Sequence, residues 1–275
     1  HPKYNTFKKR GSAKYGRMRL LQVLRTYELW DNLIALSQTP YLEPTDEEEE
    51  QINRLRYLGL AYYQTKNIKQ GDAQLAQLKK QLDDVTTERK QSVEKAVTKA
   101  KSSLTAEPLV ALRPDESRAS IIDKAKNKPY LSRVRKLEQS IKALEGHQAI
   151  AQGDLKAGYE LLKKAGGADE VYLLAVQWKS ADRPKAEKAL RKLIGSHKNE
   201  VHPQATLVEL LWEAGDKDAA KKEFEKLQKI SASIDLDMPL FTRLAPIAAE
   251  LKFKPDWRME KTAATPMNFA ANHTC

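Results

Sequence analysis

The sequence predicts an all-α fold, and three observations carry that prediction. Apolar residues recur at three- and four-residue steps, beginning with Leu20, Leu21, Leu24, Leu29, Leu33, Ile34 and Leu36. A short polar turn recurs four times, as Lys66-Asn67, Gly153-Asp154, Ala181-Asp182 and Gly215-Asp216. Two long apolar stripes, on either side of a proline-bearing stretch, have the pattern of helices that cover one another.

Composition bounds the answer. The chain has 275 residues, 41% hydrophobic and 31% charged, enough length for about two domains and enough apolar mass for a core, so it is not wholly disordered. No stretch approaches the ~18–20 consecutive apolar residues of a membrane span. With 11 Gly and 12 Pro it is neither collagen-like nor low-complexity. Cys275 is the single cysteine, which excludes an internal disulfide and any multi-cysteine metal site. The chain starts at His1; this reads as a mature product after signal cleavage or as a trimmed piece, with export favoured and the cytoplasm left open.

The elements follow in order. Residues 1–18 read as a basic extended arm: residues 1–19 hold seven Lys/Arg and no acid, with Tyr4, Phe7 and Tyr15 interleaved and Gly11 and Gly16 interrupting any helix. Helical periodicity starts at Arg19 and stops at Pro40 and Pro44. Thr45-Asp46-Glu47-Glu48 reads as an N-cap followed by first-turn acids, favoured by the helix dipole, rather than as a metal site.

Leu55, Leu58, Gly59 and Tyr62, then Gly71, Leu75 and Leu78, fall at the spacing of two helices crossing closely at Gly59 and Gly71. The turn pattern returns with a small residue and apolar followers: Gly158, Leu162 and Ala165; Ala186, Leu190 and Leu193; Ala220, Phe224 and Leu227. Leu144, Gly146 and Ala149, then Leu173, Leu174 and Trp178, then Leu207, Val208, Leu211 and Trp212 precede those turns. The last two turns lie 34 residues apart and the pair before them 28. These residues resemble the tetratricopeptide repeat (TPR) family in degenerate form, clearly at 54–79 and 204–228 and loosely at 141–194. The family pattern is broken where Lys142 replaces a large aromatic and where Leu174 and Val208 replace the helix A glycine. The resemblance implies a TPR-like α-solenoid, with N-terminal repeat helices at 19–79 and further repeats at 141–251.

Residues 80–140 differ. Leu75, Leu78, Leu82 and Val85, prolonged by Val93, Val97 and Leu104, meet a returning stripe of Ile121, Ile122, Ala125, Leu131, Val134, Leu137, Ile141 and Leu144, with Pro108, Pro114 and Pro129 between or within them. This predicts an inserted antiparallel helical hairpin that projects from the body. Ser231–Pro239 reads as a loop and Leu240–Leu251 as a closing helix containing Pro246. Residues 252–275 are expected to form an extended tail.

Chemistry is sparse. His1, His147, His197, His202 and His273 form no ligand pair on a helix, and no phosphate loop, dinucleotide fingerprint or nucleophile elbow occurs. Gly166-Gly167 reads as a helix stop. Asn272-His273-Thr274 matches a glycosylation acceptor. The expectation is no enzyme, no cofactor and no metal.

The remaining lead is charge. The net +11 resides mostly in the arm and in residues 79–145, where 16 Lys/Arg face 10 acids. The favoured function is a non-enzymatic protein–protein interaction scaffold that assembles head-to-tail into an oligomer or filament through its terminal arms. Its candidate partner-binding residues are Tyr4, Phe7, Lys8, Lys9, Arg10, Tyr62, Tyr63 and Trp178, and Cys275 is the candidate intermolecular thiol, against an idle one. The partner would be a protein segment or other copies of the chain. One alternative rests on Leu244–Leu251 followed by Asp256-Trp257-Arg258, which is similar to the end of helical modules preceding redoxin domains in bacterial exported proteins. That likeness implies an accessory module of a redox protein. A third reading is nucleic-acid binding through the arm, with Lys/Arg on phosphates and aromatics stacking on bases; the alternating charges of the hairpin speak against it.

Overall fold

The computed structural model describes residues 11–105, 130–180 and 182–259. Its elements are α1 (Ser12–Thr26), α2 (Trp30–Leu36), α3 (Glu48–Gln64), α4 (Ile68–Thr105), α5 (Leu131–Ala151), α6 (Leu155–Ala165), α7 (Glu170–Ser180), α8 (Arg183–Ser196), α9 (Val201–Glu213), α10 (Lys217–Lys229) and α11 (Pro239–Glu250). No strand occurs among the described residues. The chain divides into two compact units, His1–Asp169 and Glu170–Cys275.

In the first unit, helix begins earlier than the periodicity suggests. Residues 12–18, expected in the extended arm, form the first turns of α1. Gly16 faces open space, so it costs only its helix propensity of ~1 kcal/mol, which the burial of Leu21 and Leu24 outweighs. The stripe from Leu20 to Leu36 is then split at Tyr27–Leu29, where Glu28 takes a left-handed φ of 55°. The acid run does open α3, but two residues later than its expected cap. Thr45 and Asp46 precede the helix, and Thr45 Oγ1 accepts the N–H of Glu47 at 3.2 Å.

α3 presents a stripe of Ile52, Leu55, Gly59 and Tyr63, at steps of three, four and four, to α4 and α5. Its other side meets α1 and α2 through Leu58 and Ala61, against Leu21, Leu24, Leu33 and Leu42. α4 runs unbroken for 38 residues, about 57 Å at 1.5 Å per residue. Leu75, Leu78 and Val85 of α4 pack with Leu137, Ile141 and Leu144 of α5 in the core shared with α3. The boundaries read at 79/80 and 140/141 therefore fall inside continuous, packed helices. Residues 106–129, with Pro108, Pro114 and Pro129, lie outside the described residues.

Four turns share one backbone pattern. The N–H groups of Asn67, Asp154, Asp182 and Asp216 bond the carbonyls five residues back, of Tyr62, Ala149, Gln177 and Leu211. Lys66, Gly153 and Gly215 adopt left-handed φ values of 62°, 95° and 80° just before, closing the preceding helix. The side chains of Asp154, Asp182 and Asp216 then accept the N–H three residues on, capping the next helix. Four residues into each following helix stand Gly71, Gly158, Ala186 and Ala220, all buried.

In the second unit, α8, α9 and α10 are tied by the carboxylate of Glu223, which is 6% exposed. It accepts from Gln204 Nε2 at 2.8 Å and Arg191 at 2.7 Å, and pairs with Lys226 at 2.9 Å. Burial pushes this carboxyl up, but the bonds from Gln204, Arg191 and Lys226 prevail and hold it below its ordinary value. The segment expected to begin the tail packs into this unit instead. Phe253 stacks on Phe224 at 4.6 Å, and Trp257 meets Phe224 edge-on at 4.9 Å with 2% of its surface exposed. Residues 260–275, Cys275 among them, lie outside the described residues.

Candidate functional site

α1 carries apolar residues on two opposite faces. Arg17, Leu21 and Leu24, at steps of four and three, point inward and are buried. Tyr15, Met18 and Val23, at steps of three and five, point outward with 55%, 46% and 47% of their surface exposed. Arg19 and Gln22 complete this outer face and bond one another at 3.0 Å. Tyr27, just past the helix end, is also exposed. Of the seven exposed large hydrophobics among the described residues, four thus fall between positions 15 and 27; the others are Tyr41, Leu131 and Met259. Such residues scattered singly need no explanation, whereas clustering on one short helix does.

The inward face is anchored by more than apolar contact. Arg17 Nη2 donates to the carbonyl of Glu43 at 2.6 Å. Lys14 Nζ lies 3.3 Å from Glu49 and 3.5 Å from Glu50. Glu49 also accepts from Lys136 of α5 at 2.7 Å, and Glu48 from Arg133 at 2.6 Å. The bond from Lys136 leads the interactions that hold the Glu49 carboxyl below its usual value, and Lys14 adds to them. The acid run is therefore a junction joining α1, α3 and α5. Sequence reasoning missed this role because the cations come from 35 residues before and 85 residues after.

The sequence-derived site residues separate. Tyr4, Phe7, Lys8, Lys9 and Arg10 lie outside the described residues, immediately before α1. Tyr62 is half-buried beside the α1–α2 side of α3. Tyr63 is 2% exposed, and its hydroxyl donates to Asp72 Oδ1 at 2.9 Å while Gln148 Nε2 donates to the same oxygen at 2.6 Å. It is a core tyrosine with no face for a partner; burial, followed by the bond to Asp72, raises its hydroxyl pKa above the ordinary range. Trp178 is 8% exposed in the core of the second unit, with the Arg183 guanidinium 4.8 Å over its ring. It too is withdrawn from partner contact by packing. What sequence reasoning passed over is the outer face of α1, whose signal was present in the spacing of Tyr15, Met18 and Val23.

Elsewhere in the second unit, a depression of about 1220 Å³ is lined by Gln228, Ile234, Lys252, Phe253 and Arg258 among others. Its arginine is engaged by Asp256 at 2.6 Å and by the carbonyl of Ile234 at 3.1 Å. Among the described residues, no group of three His, Cys, Asp or Glu is placed to hold a metal ion. No helix among them is long and apolar enough to cross a membrane. Compared with known proteins, the chain matches no family model, no curated protein and no solved structure.

Proposed function

We propose that this protein is a non-enzymatic interaction scaffold. Its TPR-like helix pairs form a solenoid body that carries the long α4–α5 hairpin, and its N-terminal end meets another chain. The contact combines the basic arm at Tyr4, Phe7, Lys8, Lys9 and Arg10 with the outer face of α1, and its occupant is a second copy of this chain, docked head-to-tail. The observation that carries the reading is the outward apolar face of α1, held rigidly from behind by Arg17 and Lys14. A rigid helix bearing exposed aromatic and thioether groups pays little ordering entropy on binding.

The repeated turns support the scaffold part of the reading. Each sets a small residue at the start of the following helix, where two helices can approach closely. Several cations of α4 and α5 are already engaged by acids, as in Lys79–Glu145 and Arg133–Glu48. This favours a protein partner over a phosphate backbone, which needs unengaged Lys and Arg.

Size-exclusion chromatography and electron microscopy of the chain with and without residues 1–10 test the proposal. Assembly lost on removing the arm is the expected result. Assembly unchanged by the truncation would sink the arm's part in it.

A further inference from the structure

At the junction of α1, α3 and the end of α6, two arginines share one aromatic ring. The guanidinium carbon of Arg25 lies 4.4 Å from the centroid of the Tyr57 ring, and that of Arg56 lies 5.6 Å from the same centroid. The two guanidiniums are therefore no farther apart than one Debye length of ~10 Å at 0.1 M salt. Arg56 Nη2 is fixed by the carbonyls of Gly166 and Gly167 at 3.3 and 3.4 Å, both glycines having left-handed φ values. Neither arginine has an ion-pair partner among the described residues, whereas Lys14, Arg133 and Lys136 of the same unit do.

Beyond burial and the Tyr57 ring, the charge acting on Arg56 is the like-charged Arg25. His147 is 8% exposed and within the field of both. Burial first, then Arg56 and Arg25, push its pKa down to about 3, so at neutral pH it adds no third charge. The result is two positive charges on planar forks of N–H donors, 4.4 and 5.6 Å from the centre of one half-buried ring.

We propose that Arg25 and Arg56 form a binding site for a phosphate dianion, with Tyr57 as its platform. A phosphomonoester carries about −1.5 to −2 at pH 7 and three acceptor oxygens. It matches two guanidiniums in charge and in donor geometry. A single carboxylate would leave one positive charge unanswered. Arg56, tethered to Gly166 and Gly167, is the preorganised half of the site, and Arg25 closes it from α1.

The test titrates the full chain with inorganic phosphate, O-phosphoserine and acetate, read by NMR on the arginine Nε–H groups and the Tyr57 ring. Saturable shifts at Arg25, Arg56 and Tyr57 with either phosphate probe, growing from pH 5 to 7.5 as the phosphate becomes dianionic, are the expected result. Tighter binding of O-phosphoserine than of inorganic phosphate assigns the source to a phosphorylated side chain or metabolite, and the reverse order to free phosphate. Arg25→Gln is expected to weaken binding at least ~10-fold, charged hydrogen bonds being the strong ones, while Lys198→Gln, at an exposed position of the second unit, leaves it unchanged. Because Arg56 also holds two carbonyls, Arg25→Gln is the deciding variant. Acetate binding as tightly as phosphate, an undiminished affinity in Arg25→Gln, or no saturable shift at Tyr57 would each overturn the proposal.

Discussion

The ring of Tyr63 lies across Gly71 so closely that a methyl group at position 71 would stand 2.5 Å from Cε1 of the ring. The two residues mark where α3 and α4 cross, and the missing side chain is what lets the tyrosine lie flat between them. The Gly71→Ala variant is therefore expected to lose ~1–3 kcal/mol, the usual cost of overpacking a full core. Gly16→Ala makes the opposite prediction, since nothing stands within 4 Å of its added carbon. It should gain ~0.5–1 kcal/mol from helix propensity alone. Urea denaturation of both variants checks the sign of each.

Tyr63 also brings a polar link into this crossing. Its hydroxyl and the Gln148 amide share Asp72 Oδ1, joining α3, α4 and α5 through one carboxylate. Tyr63→Phe keeps the packing and removes one donor. A loss of ~1–2 kcal/mol is expected, because the carboxylate retains Gln148. A loss below a few tenths in the same urea experiment would mean that the link contributes nothing net.

Acid should weaken the first unit through His147. Its folded pKa, about 3, lies below the unfolded value near 6.5. Above pH 6.5 the ring is neutral in both states and has no effect. Between pH 6.5 and 3 the unfolded chain binds the proton and the folded one does not, so stability falls as pH falls, with a slope approaching ~1.4 kcal/mol per unit. His147→Phe, measured over that range, should show a shallower decline. Parallel pH profiles for the two proteins would contradict the buried neutral imidazole.

Trp257 closes the second unit against Phe224 and Phe241. Trp257→Ala is expected to cost ~3–5 kcal/mol, the range for removing a large aromatic from a core. The thermal transition of this unit should move down accordingly. A transition unchanged by the substitution would show that residues 252–259 are not part of the core.

The parts of this fold that could be read in advance are those encoded locally. A Gly-Asp or Lys-Asn pair specifies both the left-handed residue that ends one helix and the Asx side chain that starts the next, and all within a few positions. Tyr62 and Tyr63 show where local pattern runs out. They are neighbours on one helix, and only the continuation of the Ile52, Leu55, Gly59 stripe by a four-residue step puts Tyr63 inside. Trp257 was illegible for a different reason: it stands alone beyond a helix, with no periodicity to announce burial. The pairing of Glu48 with Arg133 spans 85 residues, and no spacing rule reaches that far. The outer face of α1 went unread because Gly16 suggested that no helix existed there to have a face.

The outer face of α1 is proposed above as an interface between copies of this chain. Sedimentation velocity of the full chain, against a variant carrying Tyr15→Ser, Met18→Ser and Val23→Ser, tests it most directly. All three side chains are exposed, so the variant should keep the helical circular dichroism of the parent. Concentration-dependent assembly of the parent and a monomer for the variant are the expected results. A parent that sediments as a monomer at every concentration, or a variant that assembles equally well, would contradict the proposal.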